Sequence, residues 1–314
     1  MVTVIIATRN RPEKICGCLQ SLLKQKKQKR VAIIIVDQSD NDNTLQLVEN
    51  LRRKNNFITY LRQNLVGKSK ALNTGICVAK SNILAFTDDD CIVSNNWTSR
   101  IESTFASHPD ISCVTGNTYP YGNIPSWACQ PTITTANASF VQPTHHQRVG
   151  FGNNFAVKRS ALKSIGLFKT WLGPGSASTN CEDGEMILRI LTFGYKILHD
   201  PKMLVYHNKK LNKAALKKQN LSYVCGEMAC YGYYAFSGYG FATQVVTKNL
   251  VDSFKGIKRI VGDMLKRKIL RTDDWILIII TFITRIKGLA IGLLYYLKEL
   301  KFRMGERNSN QLIS

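Results

Sequence analysis

The chain has 314 residues, 44% hydrophobic and 20% charged, with a formal net charge of +22. That is enough to bury a sizeable core and about two domains' worth of chain, which excludes a disordered tail. Its nine cysteines include no Cys-x-x-Cys pair, which argues against a zinc ribbon and a disulfide scaffold and for a reduced, cytosolic chain.

In chain order, Val2–Ala7 is apolar and β-rich and reads as a strand that starts at once, with no signal-peptide pattern ahead of it. The Thr8–Glu13 turn carries Pro12 near a helix start, and Ile15, Leu19, Leu22 and Leu23 follow at helical spacing. Lys24–Arg30 is a basic helix end or loop. Val31–Val36 is a continuous apolar run that ends at Asp37, as in a buried parallel strand. A helix over Thr44–Arg53, a strand over Ile58–Leu61, a helix over Lys68–Ala79 and a strand over Ile83–Phe86 come next. Alternation of this kind predicts an α/β fold, a mostly parallel sheet with helices on both faces. Ligands of such sheets sit beyond the carboxyl ends of the strands, so Thr8, Asp37 and Asp88–Asp90 are expected to converge.

From Ile111 the alternation breaks and Gly and Pro thicken, with Pro125, Pro131, Pro143 and Gly150 among them. Trp171–Asn180 has the composition of a mobile loop over a site. A helix is expected over Asp183–Phe193, then strands Tyr195–Leu198 and Met203–Tyr206 on either side of Pro201.

The basic excess is densest at the end, with 20 Lys and Arg against 7 Asp and Glu from Lys202 onward. The apolar stretch Trp275–Leu297 is long enough to span a bilayer. Arg285 and Lys287 near its middle would each cost about 2.5–3.5 kcal/mol at the bilayer centre. One or two helices lying in the interface, with basic flanks on anionic lipid, are therefore preferred over a span. The alternative is a helix pair buried in a soluble domain. No helix-turn-helix, zinc-finger or RNP pattern accompanies the charge, so nucleic acid is not an expected partner.

Asp88-Asp89-Asp90 is the sharpest local feature. Three carboxylates at a strand end repel one another unless a cation or donors are present, which suits a hard divalent ion; the bland reading is a solvated acidic turn. Glu182-Asp183 reads as an acidic first turn of a helix or as a general base. His207 follows the last strand and is a weak ligand candidate by itself. Gly67-Lys68-Ser69 is not a P-loop, because the first glycine of that motif is replaced by Arg62; Lys68 and Lys70 can still face a diphosphate.

Taken in order, these blocks resemble a family-2 glycosyltransferase of the GT-A fold. They are Ala7-Thr8-Arg9-Asn10, Ile34–Asp37, Gly67–Gly75, Phe86–Asp90, Gly152–Arg159, Ile165–Phe168, Glu182-Asp183, Arg189, Gly194–Ile197, Pro201 and His207. The resemblance covers Val2 to about His207. It implies a GT-A domain over residues 1–210, with a nucleotide-sugar half (1–110) and an acceptor half (111–210); the basic, apolar remainder over 211–314 reads from its composition as a helical, membrane-associated region. It also implies donor contacts from Thr8, Arg9, Asp37, Lys68, Asn73, Asp88 and Asp89, and acceptor contacts from Asn153 and Trp171. Asp88, Asp90 and His207 would hold Mn²⁺ or Mg²⁺, and Asp183, beside Glu182, would be the catalytic base. Gln38 and Leu72 stand where many members carry Asp and Arg.

The implied activity is inverting transfer of a hexosyl group from a nucleoside-diphosphate sugar, a UDP-sugar first among donors. The acceptor would be a saccharide or lipid-linked saccharide in polysaccharide or glycolipid biosynthesis at the cytoplasmic face of the cell membrane. A sugar nucleotidyltransferase and a non-catalytic nucleotide-sugar-binding protein are the alternatives.

Overall fold

A computed structural model describes residues 1–25, 31–122, 134–141, 152–208, 212–265 and 272–311; side chains of 264, 272–274 and 304–311 are excepted. Most of the basic segment before Val31, together with Pro125, Pro131, Pro143 and Gly150, lies outside these residues. The chain divides into two compact units: residues 1–170 with 182–213, and residues 171–181 with 214–314.

The first unit opens as β1 (Val2–Thr8), α1 (Pro12–Leu23), β2 (Val31–Asp37), α2 (Asn43–Arg52), β3 (Ile58–Arg62), α3 (Lys68–Val78) and β4 (Ile83–Phe86), the alternation expected from the sequence. It continues with β5 (Cys91–Val93), α4 (Trp97–Ser107), β6 (Ile111–Pro120), β7 (Ser139–Phe140), β8 (Phe155–Lys158), α5 (Arg159–Ile165), α6 (Glu182–Thr192) and β9 (Lys196–His207). The described strands form one mixed, mostly parallel sheet in the order β3-β2-β1-β4-β8-β6-β9-β5, with β7 also on β9.

The period-2 alternation of β1 builds a core on each face. Val2, Val4 and Ile6 pack with Ile15, Leu19 and Leu22 of α1 and with Trp97, Ile101 and Phe105 of α4. Ile5 packs on the opposite face with Ala71, Leu72 and Ile76 of α3 and with Met186, Ile187 and Ile190 of α6. Strand order reverses between β1 and β4, where an open α/β sheet leaves its crevice.

Two expectations need correction. Tyr195–Leu198 and Met203–Tyr206 are one strand, β9; its register against β6 jumps from Gly116↔Asp200 to Asn117↔Leu204, so Pro201–Met203 bulge out. The break in alternation read from Ile111 also hides a strand, because β6 starts there and runs through the sheet with its first eight residues buried. Ser112, Thr115, Asn117 and Thr118 dilute its apolar pattern, and the sheet satisfies them internally, as in the contact of Thr115 Oγ1 with His199 Nδ1 at 3.0 Å.

The second unit consists of the 171–181 loop and three helices, α7 (Lys213–Phe236), α8 (Gly240–Leu265) and α9 (Thr272–Gln311). The stretch expected as one or two helices is one. Gly288 and Gly292 of α9 bring it against α7 so closely that an added Cβ would lie 2.4 Å from the Cys225 and Ala229 carbonyl oxygens. Arg285 turns inward, donating to Asn249 O at 2.7 Å and Ser253 Oγ at 2.5 Å on α8, while Lys287 stays exposed. The loop is pinned within this unit: Trp171 stacks on Tyr295 at 4.7 Å, Leu172 and Ser178 are fully buried, and Ser222 Oγ donates to Thr179 O at 3.1 Å.

Candidate active site

β1 and β4 end side by side, and the last residue of β1 meets the turn that follows β4. Thr8 Oγ1 donates to Asp89 Oδ2 at 2.8 Å, and Arg11, from the turn into α1, donates to Asp89 Oδ1 at 3.1 Å. The same guanidinium lies 3.6 Å from Asp90. Burial and the neighbouring Asp90 push Asp89 up to about 6, against the pull of Arg11 and Thr8. Asp89 therefore faces inward and ties the two strand ends together, while Asp88 and Asp90 project on either side of it.

Asp90 meets His207, the last residue of β9, with 3.1 Å between Oδ1 and Nε2. The antiparallel pairing Cys91↔His207 fixes that approach. A carboxylate oxygen and an imidazole nitrogen are a donor set that fits a divalent ion such as Mn²⁺. Cys91 Sγ falls within the same cluster, but burial, with Asp88 and Asp90 adding to it, pushes its thiol well up, so it brings no thiolate.

On the other side, Lys68 at the start of α3 bridges Asp88 Oδ1 at 2.6 Å and Glu182 Oε1 at 3.1 Å. Burial opposes its charge, yet Asp88, Glu182 and Asp183 outweigh burial and hold its pKa well above the ordinary value. Glu182 is buried and pushed up by that burial despite Lys68. Asp183 is half-buried, and its carboxylate accepts from Gly152 N at 2.5 Å and Gly184 N at 2.8 Å. A side chain at residue 152 would place Cβ 2.8 Å from Asp183 Cβ, so this approach requires glycine.

Asp37, fully buried at the end of β2, accepts from Ser39 N at 2.8 Å and from Tyr60 OH at 2.7 Å, with Arg62 3.9 Å away. Gln38 turns from the strand to brace the next turn, donating to the Leu65 and Gly67 carbonyls and accepting from Gly67 N. A carboxylate could not make the donating half of that brace.

Thr8, Lys68, Asp88, Asp89, Asp90, Glu182, Asp183 and His207 are thus linked around one end of the sheet. Other expected residues are engaged elsewhere. Arg9 pairs with Asp40 at 3.4 Å on the exposed rim, so Arg11 is the arginine that reaches the carboxylates. Asn73 spends both ends of its amide on the Phe168 backbone, at 2.8 and 2.9 Å, and clamps α3 to that turn. Asn153 is buried and accepts from Thr118 Oγ1 at 3.2 Å. Trp171 belongs to the second unit. Arg11 and Gly152 were missed by sequence reasoning. Both stood inside quoted or adjoining blocks, but periodicity does not tell Arg9 from Arg11, and no local pattern pairs residue 152 with 183.

Comparison with known proteins decides the family. The family model described as glycosyl transferase family 2 matches residues 3–166. The chain belongs to that family. A poly-beta-1,6-N-acetyl-D-glucosamine synthase of Staphylococcus aureus is 33% identical over 116 residues, 37% of this chain and 28% of the synthase. The chain thus matches under a third of that protein's length. Glycosyltransferase AglE of Haloferax volcanii is 26% identical over 223 residues, 69% of this chain and 70% of AglE. Among solved structures, the mannosyltransferase PcManGT from Pyrobaculum calidifontis, in complex with GDP-Man and Mn²⁺, has a TM-score of 0.59 at 15% identity, covering 93% of this chain and 86% of that one. Staphylococcus aureus TarS, residues 1–349, has a TM-score of 0.60 at 16% identity, covering 97% and 91%. The GT-A fold expected for this family-2 glycosyltransferase is the fold observed.

Proposed function

We propose that this family-2 glycosyltransferase is metal-dependent and inverting, and that it moves a hexosyl group from a nucleoside-diphosphate sugar to the hydroxyl of a saccharide or lipid-linked saccharide. The observation that carries the reading is the convergence of Asp88–Asp90, Lys68, His207 and Asp183 at the β1–β4 crevice. A UDP-sugar is the first donor to test. Polysaccharide or glycolipid biosynthesis is the setting that agrees with the synthase relative.

Asp90 and His207 would hold the divalent ion, with Asp88, which pairs with Lys68, as the further expected carboxylate. When bound, it neutralises negative charge on the departing diphosphate. Lys68, kept protonated by Asp88 and Glu182, adds a fixed positive charge on the donor side. Asp183 takes the proton of the acceptor hydroxyl as that oxygen attacks the anomeric carbon. The bond from the anomeric carbon to the diphosphate oxygen breaks, the nucleoside diphosphate keeps the electron pair, and the anomeric centre inverts. The Gly152 and Gly184 amides orient the Asp183 carboxylate. Asp37, with Tyr60 and Arg62 around it, is the candidate contact for the nucleobase.

The membrane part of the reading rests on α9. Its stretch Trp275–Arg303 has a mean hydropathy of 2.0 over the most apolar window, of which 11% is buried. A core helix of a soluble domain would be mostly buried, so contact with an anionic bilayer at the cytoplasmic face is the better account.

The test is nucleotide release by the purified full chain across UDP-, GDP- and dTDP-sugars with Mn²⁺ or Mg²⁺ and extracted lipid acceptors. Metal-dependent release from one donor is expected. No release from any donor, together with no metal-dependent donor binding by thermal shift, contradicts the proposal.

A further inference from the structure

The helical unit carries a second polar site, which the transfer reaction does not use. Between α8 and α9 lies a groove of about 520 Å³, lined by Asp252, Ser253, Lys255 and Arg259 on one side and by Leu277, Ile278, Thr281 and Arg285 on the other. Its floor is tight, since a Cβ added at Gly256 would lie 3.2 Å from Ile278 Cγ2. Three cations face one carboxylate across this space, leaving an excess positive charge.

The deepest cation is incompletely satisfied. Arg285 donates through one terminal nitrogen to Asn249 O and Ser253 Oγ, while its buried Nε has no hydrogen-bond partner among the described residues. A buried guanidinium N–H without an acceptor is costly and calls for one. Lys255 and Arg259 stand exposed one helical turn apart along the groove, and Thr281 adds a hydroxyl. This is the donor chemistry of a phosphate site.

The surroundings select the source of the phosphate. Val251, Phe254, Val261 and Leu265 of α8 and Ile279, Ile283 and Ile286 of α9 expose apolar side chains along the same two helices. A free phosphate has no use for such a surface, whereas a lipid places a phosphate beside hydrocarbon.

We infer that the α8–α9 groove binds the phosphate headgroup of an anionic lipid, with Lys255, Arg259 and Arg285 as its cations and the exposed apolar side chains of the two helices against the acyl chains. The inference rests on the membrane reading above. It adds a stoichiometric site to what would otherwise be diffuse attraction.

The test uses the full chain in non-ionic detergent and dihexanoyl phosphatidic acid below its micellar concentration, followed by calorimetry. One equivalent is expected to bind, and K255A/R259A to weaken it at least about tenfold, as for loss of charge-assisted hydrogen bonds. The paired control K248A/K258A removes two exposed charges of α8 that lie outside the groove, and it is expected to leave the monomeric lipid's affinity within about twofold. Equal weakening by both pairs, or no saturable binding, overturns the groove. Inorganic phosphate binding as tightly as the lipid overturns the assignment to a lipid. Co-sedimentation with phosphatidylglycerol vesicles separates the two claims: vesicle binding without a saturable headgroup site leaves the membrane reading standing and removes this one, and absence of both removes both.

Discussion

At the carboxyl ends of β1 and β4, three consecutive carboxylates are crowded against Arg11 and Lys68 until burial and the neighbouring Asp90 push Asp89 up to about 6; along α8 and α9, cations stand in solvent among exposed apolar side chains. The first arrangement is costly to fold, because buried like charges must be neutralised. The second costs little in water but leaves apolar surface uncovered. Concentrated buried charge points to chemistry on a charged substrate, and dispersed cations beside hydrocarbon point to a surface. The net charge of +22 conceals this contrast, since both units carry more Lys and Arg than Asp and Glu, and what differs is where the charges stand.

The contrast can be broken at its sharpest point first. Asp90→Ala removes the carboxylate that meets His207 and Arg11. Loss of about 10³-fold in metal-stimulated kcat/KM is expected from several kcal/mol of lost transition-state stabilisation. Steady-state nucleotide release with and without Mn²⁺ measures it, and a metal response equal to wild type would count against the site. His207→Ala should weaken Mn²⁺ binding by about 10–100-fold, read by electron paramagnetic resonance of free Mn²⁺, with the fold unchanged by circular dichroism.

Gly152→Ala tests positioning rather than chemistry. The added methyl would lie 2.8 Å from Asp183 Cβ, so Asp183 must shift. A fall of about 10²-fold in kcat with donor KM preserved is expected for a displaced base. The smallest expected effect is on stability and lies away from the crevice. Burial works against the charge of Asp200, and Arg100, Thr104 and the Lys202 amide outweigh it, holding its pKa below the ordinary 3.8. A depressed carboxylate contributes stability above its unfolded pKa and loses it as pH falls through the folded value. Asp200→Asn should therefore cost about 2 kcal/mol at pH 7 and progressively less below pH ~4, followed by urea unfolding against pH.

The parallel half of the sheet was legible because its strands are continuous apolar runs and its helices keep a clean period, as in Val31–Val36 and Ile15–Leu23. The Asp88–Asp90 cluster and the Glu182-Asp183 pair were legible because carboxylates at element ends are conspicuous. What escaped was non-local. Trp97–Ser107 buries Thr98 and Thr104 beside Trp97, Ile101 and Phe105, so its apolar period is blurred. The bulge at Pro201 reads as a break until β6 is seen to bridge it. The clamp of Asn73 on the Phe168 backbone also escaped, because a free polar residue and one bonded to a distant turn are identical in sequence.

The central claim is that Asp183 acts on the acceptor while the Asp88–Asp90 side holds the donor. Comparing wild type with Asp183→Asn, by calorimetric donor binding in Mn²⁺ and by transfer to acceptor under single-turnover conditions, tests it most directly. The account predicts donor affinity within about threefold of wild type and transfer slowed about 10³-fold. Transfer at the wild-type rate, or loss of donor binding with transfer still fast at saturating donor, would contradict it.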